Sequence, residues 1–203
     1  MQTIKFWFEF ASTYSYLSVS RVEHLTMSKG IPVEWKVFLL GPVFKNQGRN
    51  TSPFNIYRAK GLYMWRDLER LCQKYVLPSK KPTVFPRNGL LAARVACLAS
   101  SEVRCPDFVR AVFRANFVED RDISDPTVIE EIFRSLGQNG QSVIQESQPP
   151  KNKERLKCQT EEAQKLGIFG APSFMVGNEL FWGNDRLEDT IEWYKNNWKR
   201  NYV

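Results

Sequence analysis

The stretch Ile4-Lys5-Phe6-Trp7-Phe8-Glu9-Phe10-Ala11-Ser12-Thr13-Tyr14-Ser15-Tyr16-Leu17 changes period half-way along. Ile4, Phe6, Phe8 and Phe10 alternate with Lys5, Trp7 and Glu9, the two-residue repeat of a strand with one strongly apolar face. The strand stops at Ala11. Ser12 or Thr13 can then cap a helix running to Lys29, in which Tyr14, Leu17, Val22 and Leu25 share a face, and Gly30 followed by Pro32 supplies the stop. Ile31, Val33, Trp35, Val37 and Leu39 alternate again. Strand, helix, strand at this spacing is a βαβ unit, which implies a parallel pair with a right-handed crossover.

Outward from this unit, Gly41-Pro42 reads as its end and Lys45 to Pro53, rich in Asn and Gly, as a loop. From there to about Gly167 the pattern is helical. Leu62, Trp65, Leu68, Cys72 and Tyr75 fall at helical spacing, as do Phe108, Val109, Val112, Phe113 and Phe117. Asn88 is placed to cap a helix from Leu90 to Ser100, and Asp125-Pro126 puts a cap and a first-turn proline on another. Pro78 to Pro86 is too proline-rich for regular structure, and Gly137 to Pro150 reads as a second loop.

Strands return with Ser173-Phe174-Met175-Val176, a Gly177-Asn178 turn and Glu179-Leu180-Phe181-Trp182, an antiparallel hairpin. Gly183-Asn184-Asp185 opens a last helix, with Leu187, Ile191, Tyr194 and Trp198 on one face and Lys199-Arg200 in its final turn, where cations suit the dipole. The order βαβ, helical block, ββα places the chain in the α/β class. It is that of a thioredoxin-like domain, residues 1–42 and 168–203, with a mixed four-stranded sheet and a large all-helical insertion over 43–167.

Composition narrows the function classes. The 203 residues are 42% hydrophobic and 13% aromatic and only 25% charged, which supplies a core and excludes global disorder. No uninterrupted apolar run approaches the roughly 20 residues of a membrane span, and the N-terminus has no secretory pattern, so a cytoplasmic protein is expected. The net charge of +7 comes from basic residues interleaved with acidic ones (Arg66-Asp67, Glu69-Arg70, Glu154-Arg155), which argues against nucleic acid. Cys72, Cys97, Cys105 and Cys158 form no Cys-x-x-Cys pair, which removes a dithiol redox motif and a zinc ribbon. His24 is the one histidine, so chemistry falls to hydroxyls, carboxylates, backbone dipoles or a borrowed cofactor.

Three places could carry that chemistry. The Phe10–Tyr16 turn lies at the carboxyl end of the first strand, where open α/β sheets place their ligands. A thiol oxidoreductase would hold a cysteine there. Ala11-Ser12-Thr13-Tyr14-Ser15 offers hydroxyls, which form no disulfide but can donate a hydrogen bond to another molecule's thiolate; the plainer reading of Ser12 is a helix cap. In Gly170-Ala171-Pro172-Ser173, a cis Ala171-Pro172 bond would turn the backbone of Ala171 towards an extended peptide ligand, whereas a trans proline would simply begin an edge strand. At Gly183-Asn184-Asp185, helix N–H groups could receive a ligand carboxylate and Asp185 a ligand ammonium, the alternative being ordinary capping.

Together these stretches resemble a known family. Phe8 to Leu17, Lys60-Gly61-Leu62-Tyr63-Met64 with Asp67-Leu68, Phe85-Pro86, Phe169-Gly170-Ala171-Pro172 and Leu180-Phe181-Trp182-Gly183-Asn184-Asp185-Arg186-Leu187 are similar to the 2-hydroxychromene-2-carboxylate isomerases and to their relatives, the kappa-class glutathione transferases. The resemblance runs from the first strand to the last helix. It implies that Ser12 contacts the glutathione sulfur, that Ala171, before the cis Pro172, pairs with the cysteinyl unit, and that Asn184 and Asp185 hold the γ-glutamyl end. Asn50, in Gly48-Arg49-Asn50-Thr51-Ser52-Pro53, matches an active-site asparagine. Many members carry proline directly after the serine, where this chain has Thr13.

What the resemblance implies is a glutathione-dependent cis/trans isomerase acting on 2-hydroxychromene-2-carboxylate and trans-o-hydroxybenzylidenepyruvate or a similar aromatic 2-oxo acid. Glutathione is the cofactor and no metal is expected. Tyr63 and Trp65 are candidate walls for the aromatic substrate. The expected partners are glutathione and a small aromatic substrate, with neither nucleic acid nor membrane and with a homodimer left open. Two other readings stand beside this one: a kappa-like glutathione transferase or peroxidase, and a catalytically silent thioredoxin-like binding module.

Overall fold

The computed structural model describes residues 2–99 and 105–201, with the backbone alone for 99 and 197–201. Ser100 and the side chains of Trp198, Lys199 and Arg200 therefore lie outside the described residues. Four strands, β1 (Ile4–Phe8), β2 (Val33–Val37), β3 (Ser173–Val176) and β4 (Glu179–Trp182), form one mixed sheet in the order β2-β1-β3-β4. β1 and β2 are parallel, while β3 is antiparallel to both β1 and β4. This is the expected sheet. The hairpin turn is the expected Gly177-Asn178, with Gly177 at φ +60°, the positive value that its position in a tight hairpin demands.

The alternation of β1 determines what lies on either side. Phe6 and Phe8 point to one face, where Phe6 stacks on Phe174 of β3 at 5.0 Å and meets Trp35 of β2 edge-on at 5.1 Å. Each fully buried ring of this kind contributes roughly 1.5–3 kcal/mol. That face is covered by α1 (Thr13–Val19), by α7 (Cys105–Phe117), which brings Phe113 and Phe117, and by the last helix α11 (Leu187–Asn201), which brings Leu187 and Ile191. Trp7 points the other way and is just as buried. It packs with Phe38, with Val43 of α3 (Leu40–Asn46), and with Ala163 of α10 (Pro150–Lys165).

Between β2 and β3 the chain is helical: α3, α4 (Pro53–Ile56), α5 (Arg58–Tyr75), α6 (Leu90–Ala99), α7, α8 (Pro126–Ser135), α9 (Gly140–Ser147) and α10. Two caps read from sequence hold. Asn88 Oδ1 accepts from the Leu90 N–H at 3.0 Å, and Asp125 Oδ1 accepts from Thr127 N–H at 2.8 Å. The 78–86 segment has no regular structure, and its Phe85–Pro86 bond is cis.

Three expectations are corrected. The helix expected from the Ser12 turn to Lys29 is two helices, α1 and α2 (Val22–Met27). The Ser20 hydroxyl donates to the Tyr16 carbonyl at 2.9 Å, while Arg21 is drawn out to Asn184 and Glu188 and lies over the Tyr75 ring. Gly41-Pro42 does not end the βαβ unit in a loop but lies in the first turn of α3, where proline is tolerated because its missing N–H has no helical acceptor. The expected 137–150 loop holds α9, capped by Asn139, whose side chain accepts from Ser142 N–H. Gly140 is required there, since a Cβ would come within 2.6 Å of the α8 backbone at Glu130.

Candidate active site

Ser12 ends the turn that follows β1. Its N–H donates to the Glu9 carbonyl at 3.0 Å, closing residues 9–12, and its own backbone is extended, which makes it the N-cap of α1. The side-chain oxygen serves twice. It accepts from Ser15 N–H at 3.2 Å and donates to the Ala171 carbonyl at 3.0 Å. The structure thus brings together two of the residues singled out from sequence, 159 positions apart in the chain. The plainer reading of Ser12, a cap, is correct as local geometry, and the second bond goes beyond it.

The strand opposite is pinned atom by atom. The Ala171–Pro172 bond is cis. Ser173 Oγ donates to the Gly170 carbonyl at 2.8 Å, Ser12 to that of Ala171, and Gly183 N–H to that of Pro172 at 3.0 Å, so three successive carbonyls are held. Gly170 is small by necessity: a Cβ would sit 2.4 Å from the Trp182 indole nitrogen. Trp182 rests there against Phe169 at 4.8 Å, and both rings are about half exposed.

Asn184 and Asp185 begin the short 3₁₀ turn Asn184–Arg186 that leads into α11. The two point in opposite directions. Asn184 is buried, with its Oδ1 accepting from Ser18 Oγ at 3.2 Å and from Arg21 at 3.1 Å, while its Nδ2 has no partner within the described protein. The Asp185 carboxylate is 72% exposed and is paired with Arg186 at 3.2 Å. Asn50 is exposed in the bend between α3 and α4. That bend is tethered at both ends beside the site, through Gln47 Nε2 donating to the Phe169 carbonyl at 3.4 Å and through Phe54 packed on Tyr14 at 6.3 Å. Of the expected substrate walls, Tyr63 is exposed, whereas Trp65 is spent on packing edge-on against Phe85 at 4.9 Å.

Sequence reasoning missed the residues that hold the Ser12 turn from within. Glu9 is buried, and its carboxylate accepts from the Ala11 N–H at 2.9 Å. Burial pushes its pKa up to about 7, with the Ala11 N–H pulling the other way. Asn116 of α7 donates from Nδ2 to the Phe10 carbonyl at 3.0 Å, and its Oδ1 accepts from the buried Arg87, which in turn pairs with Asp120. Tyr14 donates to Asp67 of α5 at 2.9 Å. Burial, then the Asp67 bond and the charges of Asp67, Tyr63 and Asp185, hold its hydroxyl far above the usual range, so it remains a donor at any working pH. Alternation by itself carries no sign of which polar positions are covered, and it leaves Glu9 unmarked as a candidate.

Residues 3–194 match the family described as DSBA-like thioredoxin domain. The chain belongs to this family. It is 28% identical over 196 residues to a 2-hydroxychromene-2-carboxylate isomerase of Sphingobium xenophagum, covering 95% of this chain and 97% of that one. It is 24% identical over 202 residues to glutathione S-transferase kappa 1 of Homo sapiens, covering 92% and 88%. A solved 2-hydroxychromene-2-carboxylate isomerase superposes with a TM-score of 0.89 over 98% of both chains at 24% identity, a likeness of fold. Ser12 and not a cysteine stands in the turn after β1, and among the described residues none of the cysteines forms a disulfide.

Proposed function

We propose that the protein is a glutathione-dependent cis/trans isomerase interconverting 2-hydroxychromene-2-carboxylate and trans-o-hydroxybenzylidenepyruvate, or a similar aromatic 2-oxo acid pair. The observation that carries this reading is the Ser12–Ala171 hydrogen bond. It pairs one hydroxyl donor with one backbone acceptor 3.0 Å apart in a turn that has no cysteine. A cysteinyl unit presents the complement, an N–H beside an anionic sulfur. Exchanging the internal bond for two bonds to such a ligand replaces a neutral hydrogen bond by one to a charged atom, which is about twice as strong. The donor set therefore fits glutathione.

In that reading the chain's own groups bind and orient. Ser12 turns its hydroxyl from Ala171 to the ligand sulfur, and the Ala171 carbonyl takes the ligand N–H. Pro172, lacking an N–H, leads into β3 without competing for either. The exposed Asp185 carboxylate receives the ammonium of the γ-glutamyl end, with Asn184 beside it contributing its backbone. Asn50 borders the site from the α3–α4 bend. The half-exposed Phe169 and Trp182 rings, next to Ala171, offer a face to an aromatic substrate. When bound, glutathione supplies a thiolate able to add reversibly to a conjugated double bond, which then rotates as a single bond.

The deciding experiment is a panel of conjugated aromatic 2-oxo acids assayed with and without glutathione, recording isomerised against conjugated products. Isomerisation that requires glutathione supports the reading. Stable conjugates alone would make the protein a transferase of the kappa kind, and failure to be retained on immobilised glutathione would make it a binding module.

A further inference from the structure

Glu9 is the one buried carboxyl of the described residues that no ion pair holds. It sits three residues before Ser12, and both ends of it act on the same turn. Its side chain takes the Ala11 N–H at 2.9 Å and its carbonyl takes the Ser12 N–H at 3.0 Å. The residues between are locked from the insertion side, where Asn116 donates to the Phe10 carbonyl. The other carboxyl oxygen lies against Gly89, immediately before α6; a Cβ on that glycine would be 3.5 Å from Glu9 Oε1 and 3.0 Å from Phe10 Cβ. Close approach of the α6 start thus shields the carboxyl from water.

We infer that Glu9 is a positioning residue for Ser12: ionised, it grips the Ala11 N–H and fixes the turn, and on taking a proton it loosens that grip, so the aim of the Ser12 hydroxyl depends on pH. The inference rests on the reading of Ser12 as the donor to a ligand thiol and deepens it. The physical basis is that a hydrogen bond to a carboxylate is roughly twice as strong as one to a neutral carboxyl, while burial without a counter-charge disfavours the ionised form. Charged groups on the surrounding elements are held elsewhere, Arg94 of α6 by the Gln148 side-chain oxygen at 3.2 Å. Before α6, Arg87 is paired with Asp120; on α7, Arg110 is paired with Glu23 and Asp107; after α7, Asp122 accepts from Ser124. On α1, Tyr14 and Tyr16 direct their hydroxyls to Asp67 and to the Pro78 carbonyl. Burial and the Ala11 N–H remain as the two influences on Glu9, and they leave its pKa at about 7.

The test uses the protein without ligand. Carbon-detected titration of the Glu9 carboxyl, with amide spectra of Ala11 and Ser12 and the Ser12 Cβ shift, is followed from pH 5 to 9. The expected result is one common midpoint near 7 for all four signals. In Glu9→Gln, which keeps an acceptor but carries no titrating proton, the Ala11 and Ser12 signals should stay flat. A Glu9 carboxyl that titrates in the ordinary carboxylate range, Ser12 signals that ignore its midpoint, or an unchanged Ser12 titration in Glu9→Gln would each overturn the inference. Should Glu9→Gln fail to fold, the shared midpoint in the native protein still decides. Calorimetry with glutathione separates the two readings: no binding removes the proposed function, and a common Glu9–Ser12 midpoint without binding leaves a proton-linked turn in place.

Discussion

The Ser12 hydroxyl donates to the Ala171 carbonyl over 3.0 Å, fastening the turn after the first strand to the entry of the third. One atom thereby serves as helix cap and as inter-segment bond, and in the proposed function it is also the donor to the ligand sulfur. Ser12→Ala should cost about 1 kcal/mol of stability from the lost cap alone, read by denaturant unfolding. A bond from a hydroxyl to a charged sulfur is worth roughly 1.5–3 kcal/mol, about one to two pKa units. The thiol of bound glutathione, followed by its thiolate absorbance, should therefore titrate that much higher in the variant, and turnover at neutral pH should fall with part of the rate returning at alkaline pH. An unchanged thiol pKa would return Ser12 to capping alone.

Asp185 lies at the surface with 72% of its side chain exposed, so an ion pair formed there is screened by water. The expected loss on Asp185→Ala is about 1 kcal/mol or close to fivefold in glutathione affinity, measured by calorimetry. It should shrink further in high salt. A salt-independent loss would point to damage to the 3₁₀ turn.

Gly170 admits the Trp182 indole where a methyl group would sit 2.4 Å from its nitrogen. Gly170→Ala should push the half-exposed ring off Phe169 with a stability loss of about 1–2 kcal/mol. The readouts are a shift in tryptophan emission and a higher KM for the aromatic substrate, with glutathione affinity kept. Native emission in the variant would show that the ring had other room to move.

Asp120 accepts from the Thr83 N–H at 2.9 Å and pairs with the buried Arg87, and together these hold its pKa at about 2, the N–H contributing most. A carboxyl whose folded pKa lies below its ordinary value of 3.8 contributes stability that is complete above that value and is lost as pH falls through the folded pKa. The native protein should therefore weaken between about pH 4 and pH 2. In Asp120→Asn, which tolerates the φ of +58° at this position, that limb of the stability curve should be shallower.

Val76 closes α5 in the left-handed conformation at φ +55°, exposed to solvent. A β-branched residue there costs roughly 1–2 kcal/mol, partly regained by its lower entropy when unfolded. Val76→Gly should raise stability by about 1 kcal/mol, visible as a higher Tm with activity unaltered.

The sequence by itself determined the sheet and its connections, because the signals are short-ranged. The alternation in β1, the cap and proline at Asp125-Pro126, and the Gly177-Asn178 turn each act within a few residues and need no partner to be read. The same locality explains the errors at α3 and α9. Gly41-Pro42 and the glycines of 137–140 carry the composition of loops, and only the seating of Val43 against Trp7, and of Gly140 on the α8 backbone, turns them into helices. Ser12, Ala171, Asn184 and Asp185 could be named from sequence, yet their relations could not. Whether Asn184 faces in and Asp185 out depends on Ser18 of α1 and on Arg21 between α1 and α2, more than 160 residues away. Glu9 shows the difference most sharply: its place in the alternation is set by the strand, but its burial and its grip on the Ser12 turn exist only because α6 and α7 pack over that end of the sheet. Removing water from a carboxyl is a property of everything around it, and no single stretch of chain encodes it.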